Sequence, residues 1–203
     1  MGGGTMQASE PSAIPRHRTA LTRTALSKPI RQAIADGVIT PDATIFDYGC
    51  GKGSDVKRLG ANGRSASGWD PTHAPDGALT PAQIVNLGYV VNVIERAAER
   101  RDALLRAWSL AERVLIVTAR LKFDMLGQEL RPFEDGYLTN RGTFQKFYDQ
   151  VELRDWITAS LDVQPIAAAP GMFYIFRSAA DRESFVASRH RRSGGGWSRY
   201  AGE

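Results

Sequence analysis

The sequence predicts an α/β domain built on a mostly parallel sheet, and three observations carry that expectation. Short apolar runs alternate with helix-length amphipathic segments along the chain. A glycine-rich turn, Asp47-Tyr48-Gly49-Cys50-Gly51-Lys52-Gly53, stands between an apolar run and a helical stretch. An acid, Asp70, closes the next apolar run, about 20 residues past the first of those glycines.

A chain of 203 residues has the size of one domain with a core of its own. With 42% hydrophobic and 24% charged residues, its composition is that of a globular protein rather than a disordered or membrane one. The net charge of +4 permits contact with phosphates without requiring it. Cys50 is the single cysteine, which excludes an intramolecular disulfide, and the three histidines leave no metal-ligand spacing. No apolar run approaches the roughly 20 residues that cross a bilayer, and the opening lacks a signal peptide's apolar core. The expectation is a cytoplasmic, metal-free protein with no membrane partner.

Residues 1–15 have no apolar period and are expected as a disordered leader, residues 16–188 as the folded domain, and residues 189–203 as a basic, glycine-rich tail. From Arg16 to Arg31 basic residues interleave with Leu21, Leu26 and Ile30, which predicts a basic helical segment that continues to a stop at Gly37. Ala43 to Asp47 predicts a strand, about Asp55 to Leu59 a helix, and Ser65 to Trp69 a second strand. A loop rich in Pro, Gly and Asp leads to a third strand from Ala82 to Leu87. A helix from Glu95 to Glu112, with apolar positions near a 3.6 period, leads to a buried strand from Arg113 to Ala119. Residues 120–143 are expected as a long connection of the lid kind and Phe144 to Leu161 as a helix. Gln164 to Ala168 and Met172 to Phe176, joined at Pro170-Gly171, predict a terminal antiparallel pair.

Glycine lets a backbone turn sharply and approach a ligand where a Cβ would intrude. The ligand is therefore expected on the exposed amides of the loop, at a helix N-terminus suited to negative charge. Asp70 stands where an acid can accept both ribose hydroxyls of a nucleoside cofactor. The spacing is neither G-x-G-x-x-G nor a Walker pattern, because glycines alternate after an acid and Lys52 is followed by Gly53.

That alternating loop resembles motif I of class I methyltransferases. The segments Phe46 to Asp55, Gly68-Trp69-Asp70-Pro71, Val85 to Glu95 and Gly142 to Tyr148, with the basic opening Arg16-His17-Arg18-Thr19-Ala20, resemble the methyltransferase family associated with bacterial DNA phosphorothioation systems. The likeness spans roughly residues 15–190. It implies a Rossmann-like class I methyltransferase fold and S-adenosyl-L-methionine as cofactor. Asp47, Gly49, Cys50, Gly51 and Gly53 would hold the methionine part, Asp70 and Pro71 the ribose side, and Asn86, Leu87 and Gly88 the wall beside the sulfonium. It also implies DNA as nucleic-acid partner, other proteins of a modification or defence system, and a C-terminal recognition region beyond this chain.

The pattern departs from the family in two places. Too few residues separate Asp70 from the next strand for a helix and a further strand, so the sheet is expected to be shortened at its third strand and to lack the acid that contacts adenine there, a task left to Thr72, His73 or the strand end. Asn86-Leu87-Gly88-Tyr89 keeps the Asn and the aromatic of amino-methylating enzymes without their prolines. Cys50 lies in the cofactor loop, which argues against a covalent cysteine. Methyl transfer is an in-line displacement that positioning alone can accelerate, and Asn86, Tyr89, Asn92 and Glu95 are the catalytic candidates, with a capping or surface role the plainer one for Glu95. Arg16, His17, Arg18 and Lys28 are candidates to grip substrate phosphates, although charged helix faces are usually just solvated. Phe144, Phe147 and Tyr148 resemble a stacking platform but at helical spacing are more often core. A small-molecule or RNA methyltransferase, and a non-catalytic module that binds cofactor or nucleic acid, remain alternatives.

Overall fold

The computed structural model describes residues 14–194. The expected leader falls almost wholly outside them, as do residues 195–203 of the expected tail. A 3-10 turn, Arg16–Thr19, precedes α1 (Lys28–Ala35), whose Pro29 lies in the first turn, where a missing N–H costs nothing. The core elements follow as β1 (Ile45–Tyr48), α2 (Ser54–Ala61), β2 (Ala66–Trp69), β3 (Ala82–Gly88), α3 (Ala97–Leu110) and β4 (Ala111–Thr118). Beyond these come β5 (Leu130–Phe133), β6 (Gly136–Thr139), β7 (Phe144–Gln145), α4 (Gln150–Leu161), β8 (Ile166–Ala169), β9 (Met172–Phe176) and α5 (Ala179–Gly194).

The main sheet has six strands in the order β2-β1-β3-β4-β9-β8. Its first four are parallel, and β9 runs antiparallel between β4 and β8, as the sequence led one to expect. Among the described residues no strand lies outside β2, and the shortening at the third strand is real. Alternation along the strands divides the core in two. Phe46, Val85, Leu87, Leu115 and Phe173 meet Leu104 of α3 and the α4 side chains on one face. Ile45, Ile84, Ile116 and Tyr174 meet Ile30 of α1, Leu59 of α2 and Phe185 of α5 on the other. Each fully buried side chain of this kind contributes about 1.5–3 kcal/mol, so the faces are fixed by which residues are odd and even in β1, β3 and β4.

Three expectations are corrected. The stretch 120–143 is no bare lid: β5, β6 and β7 form a separate antiparallel sheet. The helix expected from Phe144 begins at Gln150, where Asp149 and Glu152 form a reciprocal capping box, and Phe144-Gln145 is a strand. Phe144, Phe147 and Tyr148 are nonetheless buried, in the core role favoured for them over a stacking surface. The basic residues Arg189 to Arg191 continue α5 rather than forming a tail. The small sheet is tied to α3 by Arg100. Its side chain is 3% exposed and donates to Asp135 at 2.7 and 2.9 Å and to the carbonyls of Ile94 and Glu95. A buried guanidinium is tolerated because its donors are met. No helix among the described residues is long and apolar enough to cross a membrane.

Candidate functional site

The parallel strands β1, β2 and β3 deliver Asp47, Asp70 and Asn86 to one edge of the sheet, at or next to their C-terminal ends, where open α/β sheets bind ligands. A cleft of about 390 Å³ opens there. Gly49, Cys50, Gly51, Asp70, Pro71 and Gly88 all line it, so the structure brings together six of the residues singled out as cofactor ligands. A second, polar cavity of about 30 Å³ adjoins the same loop, lined among others by Asp47, Asn86, Ser27 and Cys50.

The loop is held in shape by its own chain. The amides of Gly49 and Cys50 donate to the Trp69 carbonyl at 2.8 and 3.0 Å, Gly53 N–H donates to Cys50 O, and Gly51 N–H donates to Asp70 Oδ2 at 3.1 Å. The expected row of exposed amides is therefore largely spent on fixing the turn. What the loop's glycines allow is close packing of the turn against the chain around the cleft: Gly49, at φ 79°, lies where a Cβ would stand 2.5 Å from Val90 Cγ2, and a Cβ on Gly51 would stand 3.1 Å from Ala20. Gly53, at φ 69°, is the N-cap of α2 and borders neither cavity, so its role is to turn the chain.

The Asp70 carboxylate accepts from Gly51, from the amides of Thr72 and His73 at 3.0 and 2.9 Å, and meets the His73 ring at 3.1 Å. Burial works to raise its pKa, but these donors outweigh it and hold the group ionised below its ordinary range. A diol binding here competes with the loop amide and the imidazole.

Asp47 behaves in the opposite way. It is 6% exposed, and burial pushes its carboxyl up to about 7 against the hydrogen bond it accepts from Asn86 Nδ2 at 2.8 Å. The other amide atom, Asn86 Oδ1, and the hydroxyl of Ser27 are buried without a partner among the described residues. Both residues line the small polar cavity, whose chemistry is thus an acid with two unmet polar atoms. An ammonium-bearing ligand end suits that set.

Tyr89 has φ 62°, a strained state for a bulky side chain that costs about 1–3 kcal/mol. Its amide is pinned to Thr118 O at 2.8 Å, and the residue borders both cavities. Among the other catalytic candidates, Asn92 borders neither cavity: its carbonyl accepts from Lys146 N–H and Gln145 Nε2 and anchors β7. Leu87 is wholly buried in the α3-side core, and Val90 and Ile94 supply the wall expected of it.

The N-terminal segment roofs the cleft. Arg16 Nε and Nη2 donate to the two Glu95 oxygens at 2.8 and 2.7 Å, and Nη1 and Nη2 donate to Glu99. Arg16 and Glu95, expected as a phosphate grip and a catalytic or capping group, instead hold one another. Burial works to raise the Glu95 carboxyl, and the guanidinium outweighs it and keeps it low. Further along, Arg23 N–H donates to Ser54 Oγ and Ser27 N–H to Asp55 Oδ1, which seats the strap on α2. His17 reaches the cleft rim, Arg18 and Lys28 are exposed, and Lys28 borders neither cavity. Arg16→Ala should destabilise the fold by only about 1 kcal/mol, as partly exposed ion pairs do. It should also raise hydrogen exchange in residues 16–21 selectively. Equal exchange in the variant and the parent would show that the clasp does not hold the roof.

Sequence reasoning missed Trp69, Ile94, Asp102, Ala103 and Arg106 as cleft residues. The ring of Tyr48 lies 5.2 Å from that of Trp69 across the β1–β2 pair. The signal available was the short β2–β3 connection, which leaves this side of β2 uncovered, with Ser67 exposed.

No protein-family model matches the sequence, and no curated protein matches it. Solved structures share the fold. The amino pentose methyltransferase of calicheamicin biosynthesis from Micromonospora echinaspora, with S-adenosylmethionine bound, is 15% identical at a TM-score of 0.51, over 74% of this chain and 90% of its own. The sugar N-methyltransferase KedS8 from a Streptoalloteichus species is 12% identical at 0.52, over 87% and 98%. Magnesium protoporphyrin IX methyltransferase from Synechocystis, with S-adenosylhomocysteine bound, is 16% identical at 0.50, over 80% and 93%. The fold is therefore the α/β Rossmann-like methyltransferase fold, a mostly parallel sheet accompanied in this chain by a separate antiparallel trio.

Proposed function

We propose that the protein is an S-adenosylmethionine-dependent methyltransferase acting on nucleic acid, with DNA in a phosphorothioation-linked modification system as the acceptor. One observation carries the cofactor reading: at the C-terminal ends of β1, β2 and β3 a cleft holding Asp70 and an acid-lined polar cavity lie side by side and share the glycine turn as a wall. The residues fit the group. Asp47, Asn86 and Ser27 would hold its amino-acid end, Asp70 its ribose, and Gly49 and Gly51 allow close approach. When bound, the cofactor supplies an electrophilic methyl group. The chain's part is to orient the acceptor, and Tyr89, held in a strained backbone state at the wall of both cavities, is the residue placed to do so.

The acceptor reading is supported by the sequence resemblance and by exposed cations, Arg18 and Lys28 in a stretch that has no acid from Arg16 to Ala35, and Lys52 and Lys57 in and after the turn. Salt-dependent DNA binding is expected from phosphate neutralisation. A small-molecule acceptor is the second reading, favoured by the roofed cleft and by the sugar and magnesium protoporphyrin IX methyltransferases that share the fold. Radiolabelled methyl transfer to DNA separates the two, and labelling of small metabolites alone would favour the second.

Calorimetric titration with S-adenosylmethionine tests the cofactor. Asp70→Ala should weaken its affinity by about 1–3 kcal/mol, the cost of an unmet buried hydroxyl pair. Absence of binding to the folded parent would remove the proposal, and unchanged affinity in the variant would remove the ribose assignment.

A further inference from the structure

At the N-terminal end of β4, the opposite edge of the sheet from the glycine turn, the ends of α1 and β9 and one side of α5 leave a further hollow of about 270 Å³. Asp36, Arg113 and Asp181 all line it, yet none of the three has an ion-pair partner among the described residues. Neutral groups hold each in place instead. Arg113 Nη2 donates to the Val38 carbonyl at 2.6 Å, Asp36 accepts from the Tyr174 hydroxyl at 2.8 Å and from Gln32 Nε2 at 3.1 Å, and Asp181 Oδ2 accepts from Ser178 Oγ at 2.8 Å. Arg113 Nε is buried with no acceptor among the described residues. The floor is apolar: Val38, Phe176 and Phe185 are buried, and the rings of the two phenylalanines lie 5.3 Å apart. Charges that line one hollow without touching keep their attraction for an occupant, and a buried donor left unmet costs the empty protein stability.

We propose that this hollow binds a free α-amino acid with an apolar side chain. Its carboxylate would accept from Arg113 Nε, its ammonium would meet Asp36 and Asp181, and its side chain would rest on the phenylalanine floor. Three features argue for it. The mixed signs of the lining disfavour a simple anion, which the two acids repel, and a simple cation, which leaves Arg113 Nε unmet. A zwitterion answers both. The volume lies just below the roughly 300–1,000 Å³ of sites for drug-sized ligands, so it suits a smaller molecule. The apolar floor gains from covering an apolar body and drying it. The inference is independent of the cofactor reading: β4 carries Arg113 near one end and Thr118 at the other, and the hollow shares no lining residue with the cleft.

The test titrates the isotope-labelled protein with L-phenylalanine, with phenylpropanoate, which lacks the ammonium, and with phenethylamine, which lacks the carboxylate, and follows the backbone amide resonances. L-phenylalanine should shift the amides of Gly37, Val38 and Ser184 saturably, with a Kd below about 1 mM, as a ligand of this size allows, and leave Gly49 and Gly51 unmoved. Each half-ligand should bind about tenfold more weakly or worse, the loss of one charged contact. Asp36→Asn combined with Asp181→Asn keeps the oxygens that accept from Tyr174 and Ser178 and removes both charges. It should weaken the amino acid about tenfold while phenylpropanoate binds unchanged or tighter. Ser184→Phe, at an exposed position of α5, should fill the hollow and abolish binding of all three. Thermal unfolding checks that the variants fold, and if the double variant does not, the half-ligands and Ser184→Phe decide. No saturable shift at these amides in the folded parent, equal affinity for the amino acid and either half, or binding that survives Ser184→Phe would each overturn the proposal.

Discussion

Gly49→Ala is expected to destabilise the protein by about 2–5 kcal/mol and to remove ligand binding at the glycine turn, whereas Gly53→Ala costs about 1–2 kcal/mol and leaves binding measurable. Both positions have positive φ, 79° and 69°, so each alanine suffers the left-handed penalty of about 1–2 kcal/mol. They differ in space. A Cβ at Gly49 meets Val90 Cγ2 at 2.5 Å, while a Cβ at Gly53 meets nothing within 4 Å. Valine is short and stiff at its only rotatable side-chain bond. Relief therefore has to come from the backbone next to Tyr89, which is already in a strained state, and overpacking of this kind adds about 1–3 kcal/mol. Urea unfolding of the two variants measures the difference. Equal destabilisation would show that Val90 yields freely and that closeness at Gly49 is not what the turn requires.

The turn and its acid were readable because their constraints are local. A strand that ends in Asp47, glycines at backbone positions that need positive φ, and Asp70 at the end of the next strand all fall within one stretch of chain. Even the missing third strand could be counted from the short run between Asp70 and Ala82. What sequence could not give depends on distant partners. Leu87 is apolar in an apolar strand, and only the parity of β3 sends it to the core while Asn86 faces the polar cavity. Arg16 looked like a phosphate ligand because no acid follows it before Asp36, yet Glu95 and Glu99 meet it from just before and within the first turn of α3. The stretch 144–149 has helical apolar spacing, but Phe144 pairs with Leu138 in a strand, and the capping box at Asp149 starts the helix later. Asp102 and Arg106 lie on what reads as the polar face of α3, and only the uncovered edge of the sheet turns that face into a cleft wall.

Asp47→Asn is expected to make the ligand-free protein more stable than its parent at pH 8, with the advantage fading as pH falls and vanishing near pH 4. The Asp47 carboxyl has an ordinary value of 3.8 and lies at about 7 in the fold, chiefly because it is buried, with the nearby Asp55 and Asp70 charges adding and the Asn86 hydrogen bond and Arg23 opposing. A group whose pKa is raised on folding binds more protons in the folded state. Its contribution is therefore intact below pH 4 and is lost as pH rises through 7. The full difference is on the order of 4 kcal/mol, since each tenfold change in proton affinity is about 1.4 kcal/mol, and asparagine cannot ionise at all. Thermal or urea unfolding of both proteins from pH 4 to 8 reads it directly; parallel curves would show that Asp47 is already ionised in the fold. A group that destabilises the empty protein at physiological pH persists where a ligand uses it, and here the unmet Asn86 and Ser27 atoms share its cavity. On the cofactor reading, an ammonium entering that cavity draws the carboxyl back to its charged form. Binding at pH 6 should then release a proton, seen as a dependence of the calorimetric heat on the buffer's ionisation heat. Asp47→Asn should abolish that release and weaken binding, and binding by the parent with no proton released would place the ammonium elsewhere.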